Sequence, residues 1–153
     1  MKTIFFGTSE FGAIVLRMII QAGIVPDLVV TTPDKPAGRK LIPSPSAVKQ
    51  AAVRHNIPLF QPEILNKTAC AELAQFSPDV FLVASYGKIL PQEILDIPRQ
   101  GSMNVPPSLL PKYRGPTPIQ NALLNGDKET GVTIMLMDEK MDHGAILVQA
   151  RFL

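Results

Sequence analysis

From Lys2 onward, short apolar runs alternate with stretches in which apolar residues recur every three or four positions. No other feature constrains the chain as much. Near-continuous apolar strands separated by helices call for a mostly parallel sheet covered on both faces, an α/β architecture. Lys2–Phe6 reads as the first buried strand. Phe11, Ile14, Val15, Met18 and Ile19 mark the apolar stripe of a helix, and Gly23 closes it as a C-terminal cap. Asp27–Thr31 is the second strand. Residues 32–46, with Pro33, Pro36, Pro43 and Pro45, read as a long loop. Ala47–His55 is a short helix and Ile57–Phe60 a short strand. Asn66 caps a helix reaching about Phe76, and Asp79–Ser85 is a strongly apolar strand broken by Tyr86-Gly87. Pro91–Ile97 makes a helical turn or two, and Ser102–Val105 another strand. A proline-rich loop, Pro106–Pro118, leads to a helix over Ile119–Asn125 closed by Gly126. Gly131–Met137 and Ala145–Phe152 are the last strands. Their short connection, Asp138–Gly144, suits an antiparallel pair at one edge.

At 153 residues the chain has room for one domain with a real core. Its net charge of +2 lacks the overall basicity of a general nucleic-acid binder. A single cysteine, Cys70, excludes a disulfide framework and a cysteine-based zinc site. Trp is absent and aromatics are 6%, which argues against a stacking platform for single strands. No apolar run is long enough to span a membrane. Glu10 cuts short the one run that imitates a signal peptide, so a cytoplasmic protein is expected.

Four segments carry candidate chemistry. Gly7–Gly12 has the spacing of a phosphate loop, but Ala13 and Ile14 stand where Lys and Ser or Thr would follow. It reads as a tight strand-to-helix turn, at the sheet end where open α/β folds build sites. Residues 34–54 hold Lys35, Arg39, Lys40, Lys49 and Arg54 against one acid, Asp34. The segment fits either a solvated loop or a contact with a large phosphate-bearing partner. Asn104, at a strand end, can donate two hydrogen bonds to a carbonyl oxygen. The stiff loop after it suits a planar heterocycle or a purely structural Ω-loop. In Asp138–Gly144 the acids are ordinary turn formers, although Asp142 can also serve beside a reacting group.

Longer runs stand at Phe6–Phe11, Thr32–Arg39, Gln61-Pro62-Glu63, Ala84–Pro91, Ser108–Gly115, Pro118-Ile119-Gln120 and Gly131–Met135. Together they resemble the methionyl-tRNA formyltransferase family over essentially the whole chain. The Ser-Leu-Leu-Pro loop and the Asp-x-Gly turn are shared with the wider group of 10-formyltetrahydrofolate-dependent transferases. The resemblance implies a Rossmann-like fold and formyl transfer from 10-formyltetrahydrofolate to the amine of initiator methionyl-tRNA, in a monomer, without metal or nicotinamide. It implies a folate site along Ser108, Leu109, Leu110 and Pro111 and beside Tyr86, Gly87, Ile89 and Leu90. It also implies tRNA contacts at Lys35, Arg39, Lys40 and Lys49, and catalytic roles for Asn104 and Asp142.

One position departs from the family's Asn-x-His pattern: Pro106 stands where the catalytic His is expected. Proline can neither relay a proton nor donate a backbone N–H. His143 is the nearest substitute, and it should point away if Asp142 points inward. The family's catalytic domain also runs further and is followed by a tRNA-binding barrel, so residues 1–153 are expected to be its N-terminal part, incomplete at the C-terminal end. Two other readings stay open. One is a transferase acting on a small amine, glycinamide ribonucleotide or an amino sugar; the other is a non-catalytic folate- or RNA-binding remnant.

Overall fold

In a computed structural model, which describes residues 1–37, 42–138 and 140–152, the chain is built around one seven-stranded sheet. Its elements in chain order are β1 (Thr3–Gly7), α1 (Glu10–Gln21), β2 (Leu28–Val30), β3 (Lys35–Ala37), β4 (Ile42–Ser44), α2 (Ala47–Arg54) and β5 (Leu59–Phe60). There follow α3 (Lys67–Gln75), β6 (Val80–Ala84), α4 (Gln92–Leu95), β7 (Ser102–Asn104), α5 (Pro118–Leu124), β8 (Thr130–Leu136) and β9 (Ile146–Phe152). The sheet order is β5-β2-β1-β6-β7-β8-β9. Pairings from β5 to β7 are parallel; β7–β8 and β8–β9 are antiparallel, as the short final connection suggests.

Alternation along the strands explains why both faces are covered. Ile4 and Phe6 point to one face and join Leu73, Phe81, Tyr86 and Ile94, beneath α3 and α4. Phe5 points to the other and joins Leu16, Val29, Val48 and Ala52, beneath α1 and α2. Strands apolar on both sides read as unbroken apolar runs, which is what residues 3–7 and 80–84 show. Helix ends follow local chemistry. Ser9 caps α1, Ser46 caps α2, and Asn66 accepts two N–H bonds at the start of α3. At the end of α1, Gly23 takes a φ of 85°, and the N–H groups of Gly23 and Ile24 close back on Ile20 and Ile19.

Two boundaries differ from expectation. Helix α1 starts at Glu10, so Gly12 belongs to the helix and not to the turn before it. Residues 32–46 are not wholly loop, since β3 and β4 pair there as a hairpin. Pro36 faces Pro43 in that ladder, a two-stranded edge pairing that tolerates residues without an N–H.

The winding order reverses beside β1: the chain moves outward through β2 and β5, then crosses to β6 on the other side, the strands staying parallel. Open α/β sheets form their crevice at this kind of switch point, beyond the carboxyl ends of the strands. Among the described residues no helix is long and apolar enough to cross a membrane.

Candidate active site

A cavity of about 370 Å³ opens at the carboxyl ends of β6 and β7. Its wall is formed by residues 85–90 after β6, 104–107 at the end of β7, the segment around Gly115, and Met135, Met137 and Met141 from β8 and the turn after it. The volume falls within the range of roughly 300–1,000 Å³ usual for small-molecule sites.

The β1–α1 turn braces this wall. The N–H groups of Thr8 and Ser9 both donate to the Ser85 carbonyl, at 3.1 and 3.4 Å, and the Thr8 hydroxyl donates to the Tyr86 carbonyl at 2.7 Å. Gly12 packs on the Ala84 carbonyl so closely that a Cβ would lie 2.5 Å from its oxygen. The two glycines of the Gly7–Gly12 segment therefore serve close packing of α1 on β6. The Tyr86 ring is buried edge-on against Phe6, and burial pushes its phenol up to about 12, so it stays neutral at working pH.

Asn104 and Asp142 meet in the cavity, although 38 residues separate them. The Asn104 Nδ2 donates to Asp142 Oδ1 at 3.0 Å, while Asn104 Oδ1 accepts the Val105 N–H at 3.0 Å. A donor on one side and a carboxylate on the other fix which way the amide faces. One Nδ2 hydrogen remains for a ligand oxygen. Asp142 Oδ2 accepts the Gly115 N–H at 3.0 Å, which ties the proline-rich loop to the pair. Asp142 holds a φ of 51°, a left-handed conformation that Asp tolerates better than most residues. Pro106 lies buried in the same wall, its carbonyl accepting the Thr133 N–H at 3.1 Å. His143 is turned outward: its Nδ1 lies 2.9 Å from Asp138 Oδ2, and that hydrogen bond, with the Lys140 N–H second, holds the Asp138 carboxyl below the usual range.

The other expected site residues divide. Tyr86, Gly87, Ile89 and Leu90 line the cavity. Ser108, Leu109, Leu110 and Pro111 stand behind it, against β8. The Ser108 carbonyl accepts the Thr133 hydroxyl at 2.7 Å, the Leu110 N–H donates to the same hydroxyl at 3.2 Å, and Leu109 packs over Gly131. The Ser108 hydroxyl is buried without a partner among the described residues. Lys35 is exposed on the hairpin, and Lys49 is engaged by Asp34 at 2.9 and 2.7 Å. Arg39 and Lys40 lie outside the described residues.

Three contributors carried no sequence signal. The Gly115 N–H acts through its backbone, so no residue type announces it. The methionine wall comes from residues whose ordinary role is core packing. Lys88 reaches partners about 25 residues away, at the Pro62 and Glu63 carbonyls.

The formyl transferase model matches residues 1–153. A methionyl-tRNA formyltransferase of Chromobacterium violaceum is 51% identical over 96% of this chain and 48% of its own length. That of Halalkalibacterium halodurans is 49% identical over 97% and 47%. The chain thus spans about half the length of the curated relatives it matches. A phosphoribosylglycinamide formyltransferase from Bacillus halodurans superposes with a TM-score of 0.78 at 22% identity, over 99% of this chain and 79% of that one. A sugar 3N-formyl transferase, solved in the presence of dTDP and 5-N-formyl-THF, gives 0.65 at 21% identity, over 99% and 52%. A sheet with this strand order, a cavity at the carboxyl ends of β6 and β7 and a match along the whole sequence agree, and the chain belongs to the formyl transferase family.

Proposed function

We propose that this chain moves a formyl group from 10-formyltetrahydrofolate to the amino group of methionyl-tRNA, a cytoplasmic step of translation initiation. The observation that carries the reading is the Asn104–Asp142 pair inside the cavity. The methionyl-tRNA formyltransferases that share about half its residues support the acceptor. A cavity of this size, lined by methionines and by the polar Asn104 and Asp142, suits a small-molecule donor.

The chemistry asked of the residues is modest. As the acceptor amine attacks the formyl carbon, negative charge grows on the carbonyl oxygen; collapse of this adduct breaks the bond from the formyl carbon to the donor nitrogen, which takes up a proton and leaves as tetrahydrofolate. The second Nδ2 hydrogen of Asn104 is directed at that oxygen, and a preorganised donor of this kind contributes about 3–4 kcal/mol to the transition state. Asp142 holds the amide in place and is the carboxylate nearest to the proton that the amine must lose. Pro106 leaves the site without a relay at the family's His position. A missing general acid–base group typically lowers the rate by about 10²–10⁴. Pro106 also favours a second reading, a chain that binds folate without turnover.

Formation of formyl-methionyl-tRNA by the unaltered chain and by the Pro106→His variant tests the proposal. Slow transfer, raised by about two orders of magnitude or more in the variant, is the expected outcome. Donor binding with no transfer by either chain supports the second reading. Transfer to glycinamide ribonucleotide in preference to methionyl-tRNA contradicts the acceptor.

A further inference from the structure

The basic hairpin and the cavity are remote in sequence, yet one turn holds both. Lys88 lies in the cavity wall, and its ammonium leaves the cavity to donate to the carbonyls of Pro62 at 3.0 Å and Glu63 at 2.6 Å. Gln61, at the head of that turn, reaches the other way. Its Nε2 donates to the Thr32 carbonyl at 2.9 Å and to Asp34 Oδ1 at 3.0 Å. Asp34 in turn receives Lys49 Nζ on both carboxylate oxygens. The loop after β6, the turn 61–63, the foot of the β3–β4 hairpin and the first turn of α2 are thereby one connected frame.

Charge use along this frame is informative. Lys49 faces a carboxylate, so its ion pair explains itself. Lys88 gives two charge-assisted bonds to neutral carbonyls and has no carboxylate partner among the described residues. The Glu63 carbonyl, on an exposed residue, needs no protein partner because water can hydrate it, whereas the carbonyl of buried Pro62 gains its partner from Lys88. What the ammonium adds is position: it fixes the turn, and with it the hairpin, to the wall that bounds the reacting pair.

We propose that Lys88 is a positioning residue for the acceptor, holding the foot of the β3–β4 hairpin, with exposed Lys35, at a set distance from Asn104 and Asp142. The proposal rests on the formyl-transfer reading for what the hairpin holds. An acceptor large enough to lay phosphates on the hairpin must bring its amine to Asn104 at the same time. That arrangement is productive only if both contacts belong to one rigid frame.

The test uses the full chain with Lys88→Met, which keeps the aliphatic stem and removes the ammonium, and with Gln61→Ala, which touches the frame outside the cavity. Hydrogen exchange of backbone amides at residues 42–49 should quicken about tenfold in both variants, the scale set by losing hydrogen bonds to a charged group. In Gln61→Ala, which lies outside the cavity, affinity for 5-formyltetrahydrofolate should change less than about threefold, while in both variants that for methionyl-tRNA falls about tenfold. Combining the two substitutions should add little, because they cut one chain of contacts. Unchanged exchange in both variants overturns the proposal, as does faster exchange with methionyl-tRNA affinity intact. A wild-type chain that fails to bind 5-formyltetrahydrofolate overturns the formyl-transfer reading itself, and that result appears before any variant is made.

Discussion

Asn104 shows how much chemistry one residue can hold when its neighbours fix its orientation. The Val105 N–H on its oxygen and Asp142 on its nitrogen leave one hydrogen free for a ligand. Asn104→Ala removes that donor and should lower transfer by about 10²–10³, with folate affinity altered far less, as comparison of single-turnover rates with titrations will measure. Asp34 gives a pH signature of a different kind. The Lys49 ammonium, and secondly the Gln61 amide, hold its carboxyl below the usual carboxylate range. A depressed carboxyl stabilises the fold above its unfolded value of about 4, and that contribution disappears as pH falls through the folded value. Exchange at the hairpin foot, corrected for intrinsic rates, should stay flat from neutrality down to about pH 5 and rise below about pH 4. In Asp34→Asn the rise should vanish. Asn104 and Asp142 were legible in sequence through a family pattern. Their contact was not, because it depends on β8 lying antiparallel beside β7.

At the scale of elements, the periodicities of 2 and 3.6 placed nearly every strand and helix, since burial on both sheet faces leaves strong patterns. The β3–β4 hairpin escaped because its prolines, read locally, signal loop; only the pairing of Pro36 with Pro43 reconciles them with a ladder. The Gly7–Gly12 spacing shows the opposite difficulty, a motif whose meaning lies in packing. Gly12→Ala would gain about 1 kcal/mol of helix propensity in isolation. Here the added methyl meets the Ala84 backbone, which cannot swing aside as a side chain would. Overpacking of about 1–3 kcal/mol should win, lowering the denaturation midpoint and displacing the Ser85–Tyr86 wall. A midpoint equal to or above that of the wild type would show that α1 can shift without cost.

For the whole molecule, the sheet's winding order is what brings residues 85–90, 104–107, 135–137 and 140–142 to one end. Seven strands with helices on both faces make the platform, and the cavity wall is built largely from the loops at its end. Pro106 lines the cavity without closing it, so the proposed function predicts donor binding with reduced turnover. Ligand at a hundred times its dissociation constant should stabilise the fold by about 2.7 kcal/mol, a rise in midpoint of roughly 5–10 °C for a chain this size. The most direct test of the central claim is a calorimetric titration of the unaltered chain with 5-formyltetrahydrofolate, a stable analogue of the donor. Saturable binding at one site is the predicted result, weakened in Gly87→Val, because a β-branched residue cannot keep the φ of 83° at this position and the cavity wall must shift. A folded chain that takes up no folate would contradict the assignment of this cavity as the donor site.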